Sequence, residues 1–208
     1  MPLLVLIADL VDSRTIPDRP RLQSRLERLL AELRGPGVVS PYTLTLGDEF
    51  QAVLDRGPRV FRDALTIQAA LHPVLVRFSL AVGELSTEVN RRQAIGMDGP
   101  PFHAARAGID ALKNEETLFR VHLPDALMAD LANASLALIS HAFRRWQTRR
   151  LSILSALQHD VPVQQIAERL GITEQAVYKN VSDGHLRDVL AAFDAVGRLL
   201  DRALGHPP

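Results

Sequence analysis

Apolar positions change their spacing along the chain. From residue 3 to residue 123, short apolar runs alternate with stretches whose hydrophobic residues recur at helical intervals. "LLVLIAD" (3–9) is a continuous apolar run closed by Asp9, as expected of a central strand buried on both faces. "RPRLQSRLERLLAELRG" (19–35) sets Leu22, Leu26, Leu29, Leu30 and Leu33 at helical spacing, and Gly35-Pro36-Gly37 stops the helix. "YTLTLGDEFQAVL" (42–54) predicts a β-hairpin bent at Gly47-Asp48. "PRVFRDALTIQAAL" (58–71) predicts a helix with Pro58 in its first turn. "VLVRFSLAVGEL" (74–85) reads as an alternating strand, "GPPFHAARAGIDAL" (99–112) as a Pro-started helix and "TLFRVHL" (117–123) as a last strand. Beyond 124 the strand signal ends, and residues 124–204 read as helix.

The order β-α-β-β-α-β, then helix and strand, predicts an α+β protein. Its N-terminal unit (1–123) would be ferredoxin-like or palm-type, an antiparallel sheet covered by helices on one face. A helical connector (124–143) and an all-α C-terminal unit (144–208) would follow. Composition supports a folded chain: 47% of the 208 residues are hydrophobic, enough for one large domain or two small ones. No 18-residue stretch is uniformly apolar, so no membrane span is expected. The apolar N-terminus lacks a basic leader region and carries Asp9 and Asp12, which favours a strand over a signal peptide. The absence of cysteine excludes disulfides and thiolate metal sites and fits a cytoplasmic protein. The 24 basic and 24 acidic residues balance, so the whole molecule is not a polycation. Locally, "FRRWQTRR" (143–150) gathers Arg144, Arg145, Arg149 and Arg150 with no acid among them.

Two acidic positions carry candidate chemistry. Asp9 ends the first strand and Asp48 sits in the hairpin turn, so both carboxylates should reach one rim of the sheet. Hard divalent cations such as Mg²⁺ or Mn²⁺ take oxygen ligands, and phosphoryl-transfer sites use them to neutralise charge. Glu49, continuing the alternation from Asp48, would point to the opposite face and serve as a weaker third ligand. The plainer reading is that Gly-Asp is a common turn pair. Ser13 and Arg14 follow in a loop that could meet a phosphate or only water. "GMDGPPFHAAR" leads into a helix N-terminus, whose free N–H groups attract anions. His103, one turn before Arg106, is a candidate phosphate donor or a plain surface residue. The remaining histidines have no metal-ligand spacing, and no catalytic Ser-His-Asp set can be inferred.

"VPVQQIAERLGITEQAVYKNVSDG" (161–184) has the pattern of a helix-turn-helix. Ile166, Ala167 and Leu170 form the inner face of a first helix, and Gly171 suits the left-handed turn. Thr173 is a good N-cap for a second helix whose Val177 and Val181 face inward. Thr173, Gln175, Tyr178, Lys179 and Asn180 would then face DNA, with the four upstream arginines meeting phosphates. A helical hairpin used only for packing is the alternative. "HLRDVLAAFDAVGRLLDRAL" (185–204) carries an apolar stripe that is either core or a dimer seam.

"LIADLVDSR" with "TLTLGDEFQAVL" resembles the nucleotidyl-cyclase superfamily, which places one metal-binding Asp after the first strand and another acid in a Gly-Asp hairpin. "FHAAR" (102–106) is similar to the Asn-x-Ala-Ala-Arg helix of class III cyclases, which makes Arg106 the implied phosphate ligand. Leu44 stands where those cyclases carry a purine-reading Lys, and Phe102 where their helix has Asn. The whole pattern resembles the SatD family more closely: a cyclase-like palm followed by a helix-turn-helix. The acidic rim and the helix-turn-helix together lead to the expectation of a transcriptional regulator, a homodimer off the membrane, binding DNA, a divalent metal and a nucleotide-like ligand. A Mg-dependent nucleotidyl cyclase or transferase, and a degenerate palm serving as a dimerisation scaffold, are the alternatives.

Overall fold

Burial on both faces makes Leu3–Leu10 (β1) the centre of a five-stranded sheet. The structure, a computed structural model, describes residues 1–207, apart from the side chain of Leu46. After β1 and a short 3₁₀ turn at Ser13–Thr15 come helix α1 (Arg19–Glu32), strands β2 (Val38–Leu46) and β3 (Glu49–Leu54), and helix α2 (Gly57–Leu71). Then follow β4 (Val76–Gly83), α3 (Pro100–Leu112), β5 (Phe119–His122) and α4 (Ala126–Arg145). Four more helices complete the chain: α5 (Thr148–Gln158), α6 (Val163–Leu170), α7 (Glu174–Asp183) and α8 (Leu186–Ala203). The strand order is β2-β3-β1-β4-β5. β1 is antiparallel to both neighbours, which is the ferredoxin-like βαββαβ arrangement. The sheet is mixed rather than purely antiparallel, because β5 runs parallel to β4 after the α3 crossover.

Helices cover both faces of the sheet, not one as expected. Leu4, Leu6 and Ala8 face the main core with Leu26 and Leu30 of α1 and Phe61 and Leu65 of α2. Val5 and Ile7, pointing the other way, meet Phe102, Ala105, Ile109 and Leu112 of α3 in a smaller core. A strand with no polar face needs a cover on each side. The exposed edge of β5 is closed by one side chain: the Asn133 amide accepts from Val121 N at 2.9 Å and donates to Val121 O at 3.0 Å.

The boundary expected between 123 and 144 runs through a continuous core. α4 buries Ala132, Leu136, Ile139 and Phe143 against the same cluster that holds β4, β5 and α2. α8 returns across the molecule and lies on α2. Its stripe of Leu186, Val189, Phe193, Val196 and Leu200 is buried within the chain, so it serves as core and not as a seam between copies. The crossing is close because two glycines meet there. A Cβ on Gly57 would overlap the Gly197 carbonyl and lie 2.7 Å from Leu200 Cβ; one on Gly197 would lie 2.8 Å from Pro58 Cα. Asp201 Oδ1 accepts from Gly57 N at 2.7 Å, capping the start of α2 from the end of α8.

Gly57→Ala is therefore expected to cost about 1–3 kcal/mol by overpacking. Urea unfolding followed by circular dichroism should show one transition at a lower midpoint. Two separate transitions in the wild type would mean that α8 is not part of the same cooperative unit.

Candidate functional site

Strand register builds the site. Asp9 lies opposite Glu49 on β3 and opposite Arg77 on β4, so three charged side chains stand in one row on the α3-facing side. The next row inward is Ile7 with Gln51 and Ser79, and the one after is Val5 with Val53 and Ala81. Polarity thus falls from rim to interior along that face. The row corrects the expectation for Glu49. Gly47, at φ 62°, and Asp48 form the two-residue turn, and Glu49 is the first residue of β3. Strand alternation does not run through a turn, so Glu49 shares a face with Asp9 instead of turning away from it.

Each carboxylate has an internal partner. Arg106 on α3 holds Glu49 with two nitrogens, Nη2 donating to Oε1 at 2.7 Å and Nη1 to Oε2. Thr45 Oγ1 donates to the same Oε1 at 3.0 Å. Arg77 Nη1 donates to Asp9 Oδ2 at 3.2 Å, and its Nε donates to the Leu112 carbonyl at 3.1 Å. Ser13 Oγ donates to Asp48 Oδ2, and Arg19 Nη2 stands 3.8 Å from Asp48 Oδ1. Burial pushes the Asp9 carboxyl above its ordinary range; Lys113 draws it back, Asp48 pushes it further up and Arg77 draws it down. Bonding to Glu49 holds the Arg106 guanidinium more firmly charged than usual.

Asp9, Ser13, Asp48, Glu49 and Arg106 are thus joined at one rim. Arg14 is exposed in the 3₁₀ turn, with no side-chain bond to the rim. His103 has a side chain 72% exposed and bonds Asp98 at 2.7 Å, outside the charged row. Asp98 is held below the ordinary carboxylate range, first by the Gly99 N–H and then by His103. Sequence reasoning missed Arg77 and Lys113. Arg77 left a signal, because an arginine inside "VRFSLAV" must be paired if the strand is buried.

Among the described residues no three His, Asp or Glu side chains group as metal ligands. Glu49 does not fit a cation, since Arg106 and Thr45 take its oxygens. Asp9 Oδ1 accepts no hydrogen bond among the described residues, and Asp48 Oδ1 has only the long approach of Arg19. These are the least engaged carboxylate oxygens of Asp9, Asp48 and Glu49.

A second surface lies at the C-terminal end. α6 ends at Gly171 in the left-handed conformation (φ 62°), and Ile172 N donates to the Ala167 carbonyl at 3.0 Å. Thr173 Oγ1 caps α7 by accepting from Ala176 N at 3.1 Å. Gln175, Tyr178 and Lys179 are exposed, Val177 is buried, and the Thr173 hydroxyl is engaged in the cap. Asn180 is not free: its amide donates to the Ala176 carbonyl and accepts from Arg150 Nε. Arg144 is held by the Glu116 carbonyl, while Arg145 and Arg149 are exposed. Arg150 also lies over the Trp146 ring at 5.7 Å. Arg145, Trp146, Gln147, Arg149, Arg150 and Asn180 line a basin of about 360 Å³.

The Asp9 environment gives a direct test. Its folded pKa is raised above the unfolded value, so Asp9 favours folding most when protonated, and that contribution is lost as pH rises through the folded value. Carboxyl-detected NMR should show Asp9 titrating above ordinary aspartates. Lys113→Ala should move it higher and Asp48→Asn lower; the opposite order would overturn the charge arrangement described.

A bacterial light-regulated adenylyl cyclase is similar over 58% of this chain and 43% of its own, at 17% identity and a TM-score of 0.41. The chain thus spans less than half the length of that cyclase. The guanylyl cyclase Cya2 is similar over 60% of this chain and 82% of its own, at 12% identity and TM-score 0.37. A regulator of polyketide synthase expression from Bifidobacterium adolescentis covers 97% of this chain and 87% of its own, at 13% identity and TM-score 0.27. These scores are too low to weigh on function. No curated protein matches. The SatD family model matches residues 3–190, nearly the full chain, and with that match the chain belongs to the SatD family.

Proposed function

We propose that this protein is a DNA-binding regulator whose palm rim takes a nucleotide-like phosphate ligand carried with Mg²⁺ or Mn²⁺. The observation that carries the DNA reading is the exposed polar face of α7 beside the arginine-lined basin. Gln175 can bond a base edge, while Tyr178, Lys179 and Arg149 can meet phosphates. Asn180, engaged with Arg150 and Ala176, positions that arginine instead of reading a base. For the rim, the supporting observation is Arg106, 42% exposed at its side chain and within the electrostatic reach of Asp9, which in turn feels Asp48. A phosphate reaching Arg106 would exchange with Glu49.

The two surfaces share one element. α5 packs on α2 through His72 Nδ1 to Thr148 Oγ1 at 2.7 Å and Gln158 Nε2 to the Arg62 carbonyl at 2.9 Å. α2 in turn lies on the sheet that carries the rim. A cyclase-type activity has less support: Leu44 and Phe102, at the positions where class III cyclases carry polar residues, pack against the two cores.

Electrophoretic shift of genomic fragments at low salt should show binding by the wild type. Lys179→Ala should lower the salt slope by about one, and Gln175→Ala should relax preference at one base position by about 1–3 kcal/mol. No retarded complex with wild type at low salt would sink the DNA reading. For the rim, calorimetry with Mn²⁺ and ATP or GTP should give binding that Arg106→Ala and Asp48→Ala each weaken at least tenfold, about 1.4 kcal/mol. Equal affinity in wild type and both variants, or no binding by the wild type, removes the ligand from this site.

A further inference from the structure

α4 has two faces. Its inner face is committed to the core, with Ser140 Oγ accepting from Leu118 N at 2.9 Å and Asn133 closing the β5 edge. The outer face shows one stripe: Leu127, Leu131, Ala134, Leu138, His141 and Arg145, all exposed. The three leucines are 64%, 55% and 77% exposed, and no described element packs on them. Their spacing alternates four and three residues along the whole helix, which is the seam pattern of a two-helix coiled coil. Three large aliphatic side chains in one exposed line call for a covering partner.

We propose that this stripe pairs antiparallel with the same stripe of a second copy, making α4 the two-fold seam of a homodimer. Charge sets the direction. Asp130 flanks the N-terminal half of the stripe, and His141 and Arg145 stand in the C-terminal half. Antiparallel pairing brings Asp130 beside the partner's His141 and the partner's Arg145. Parallel pairing would set Asp130 against Asp130 and Arg145 against Arg145, like charge on like. A two-fold axis midway between Ala134 and Leu138 also places the small Ala134 against the partner's Leu138, twice. Small against large lets the helices approach closely, and the same patch serves both copies, as an isologous contact requires.

A bilayer is the other occupant to weigh. α4 has the length and mean hydropathy (1.3) of a membrane span. However, insertion would strip Ser140 and Asn133 from the sheet and carry Asp130, His141 and Arg145 into lipid. The seam does not rest on the proposed DNA binding, so its failure and the failure of that reading are separate results.

Sedimentation of the full chain should give twice the 22.9 kDa chain mass. Leu138→Glu should sediment as a monomer with unchanged circular dichroism and melting temperature. The natural chain has no cysteine, so single substitutions give clean cross-links. Ala134→Cys mixed with Leu138→Cys should form a disulfide-linked pair under mild oxidation, and Leu138→Cys alone should not. A monomeric wild type, a dimeric Leu138→Glu, or self-linking of Leu138→Cys would overturn the proposal. So would a monomer that floats with vesicles of phosphatidylcholine and phosphatidylglycerol.

Discussion

The fold depends on one aromatic cluster. Six of the seven phenylalanines interlock across four elements of the palm and two of the C-terminal helices. Phe78 stacks on Phe119 at 5.3 Å between β4 and β5, and Phe61 of α2 stacks on Phe193 of α8 at 5.1 Å. Phe143 of α4 meets both Phe119 and Phe193 edge-on. Each such pair contributes about 0.5–1.5 kcal/mol beyond the area it buries. Phe193, more than 130 residues from Phe61 in sequence, therefore fixes the far end of the chain to the sheet. The glycine crossing of α2 and α8 is the geometric condition for it: without Gly57 and Gly197 the helices could not come close enough to stack those rings.

That constraint explains what the sequence could and could not show. Element types followed from spacing: every strand and helix expected in the palm is present within a few residues. The boundary near 123 did not follow, because composition changes there while packing does not. Nothing local in "HLRDVLAAFDAVGRLL" distinguishes a stripe buried on α2 from one buried on a second copy. Conversely, the leucines of α4 read as ordinary connector helix, and their exposure is visible only once the inner face is known to be Ala132, Leu136, Ile139 and Phe143.

The rim shows the same limit at finer scale. Asp9 and Asp48 were legible because each marks the end of an apolar run. Glu49 was misplaced because alternation was carried through a turn, where it has no meaning. Arg77 lies in a central strand and is 9% exposed, so the sequence shows that it needs a partner but not which one. Register, which sets Arg77 opposite Asp9, depends on pairing across 68 residues and is not a local property.

These pairings also determine how the rim can act. A buried carboxylate left alone would be expensive, so Asp9 and Glu49 each carry a guanidinium. The two pairs are not equivalent. Arg77 is buried and also bonded to the Leu112 carbonyl, so it is fixed from two sides. Arg106 is bonded at the rim to Glu49 alone, from the exposed side of α3. An incoming phosphate can therefore compete for Arg106 and not for Arg77. On the proposed reading, that exchange would free the Glu49 carboxylate at the start of β3, beside Asp9 in the central strand. The result would be a local excess of negative charge, which a divalent cation arriving with the phosphate would neutralise. Cation and phosphate would then bind together more strongly than either alone, because each removes the cost that the other creates.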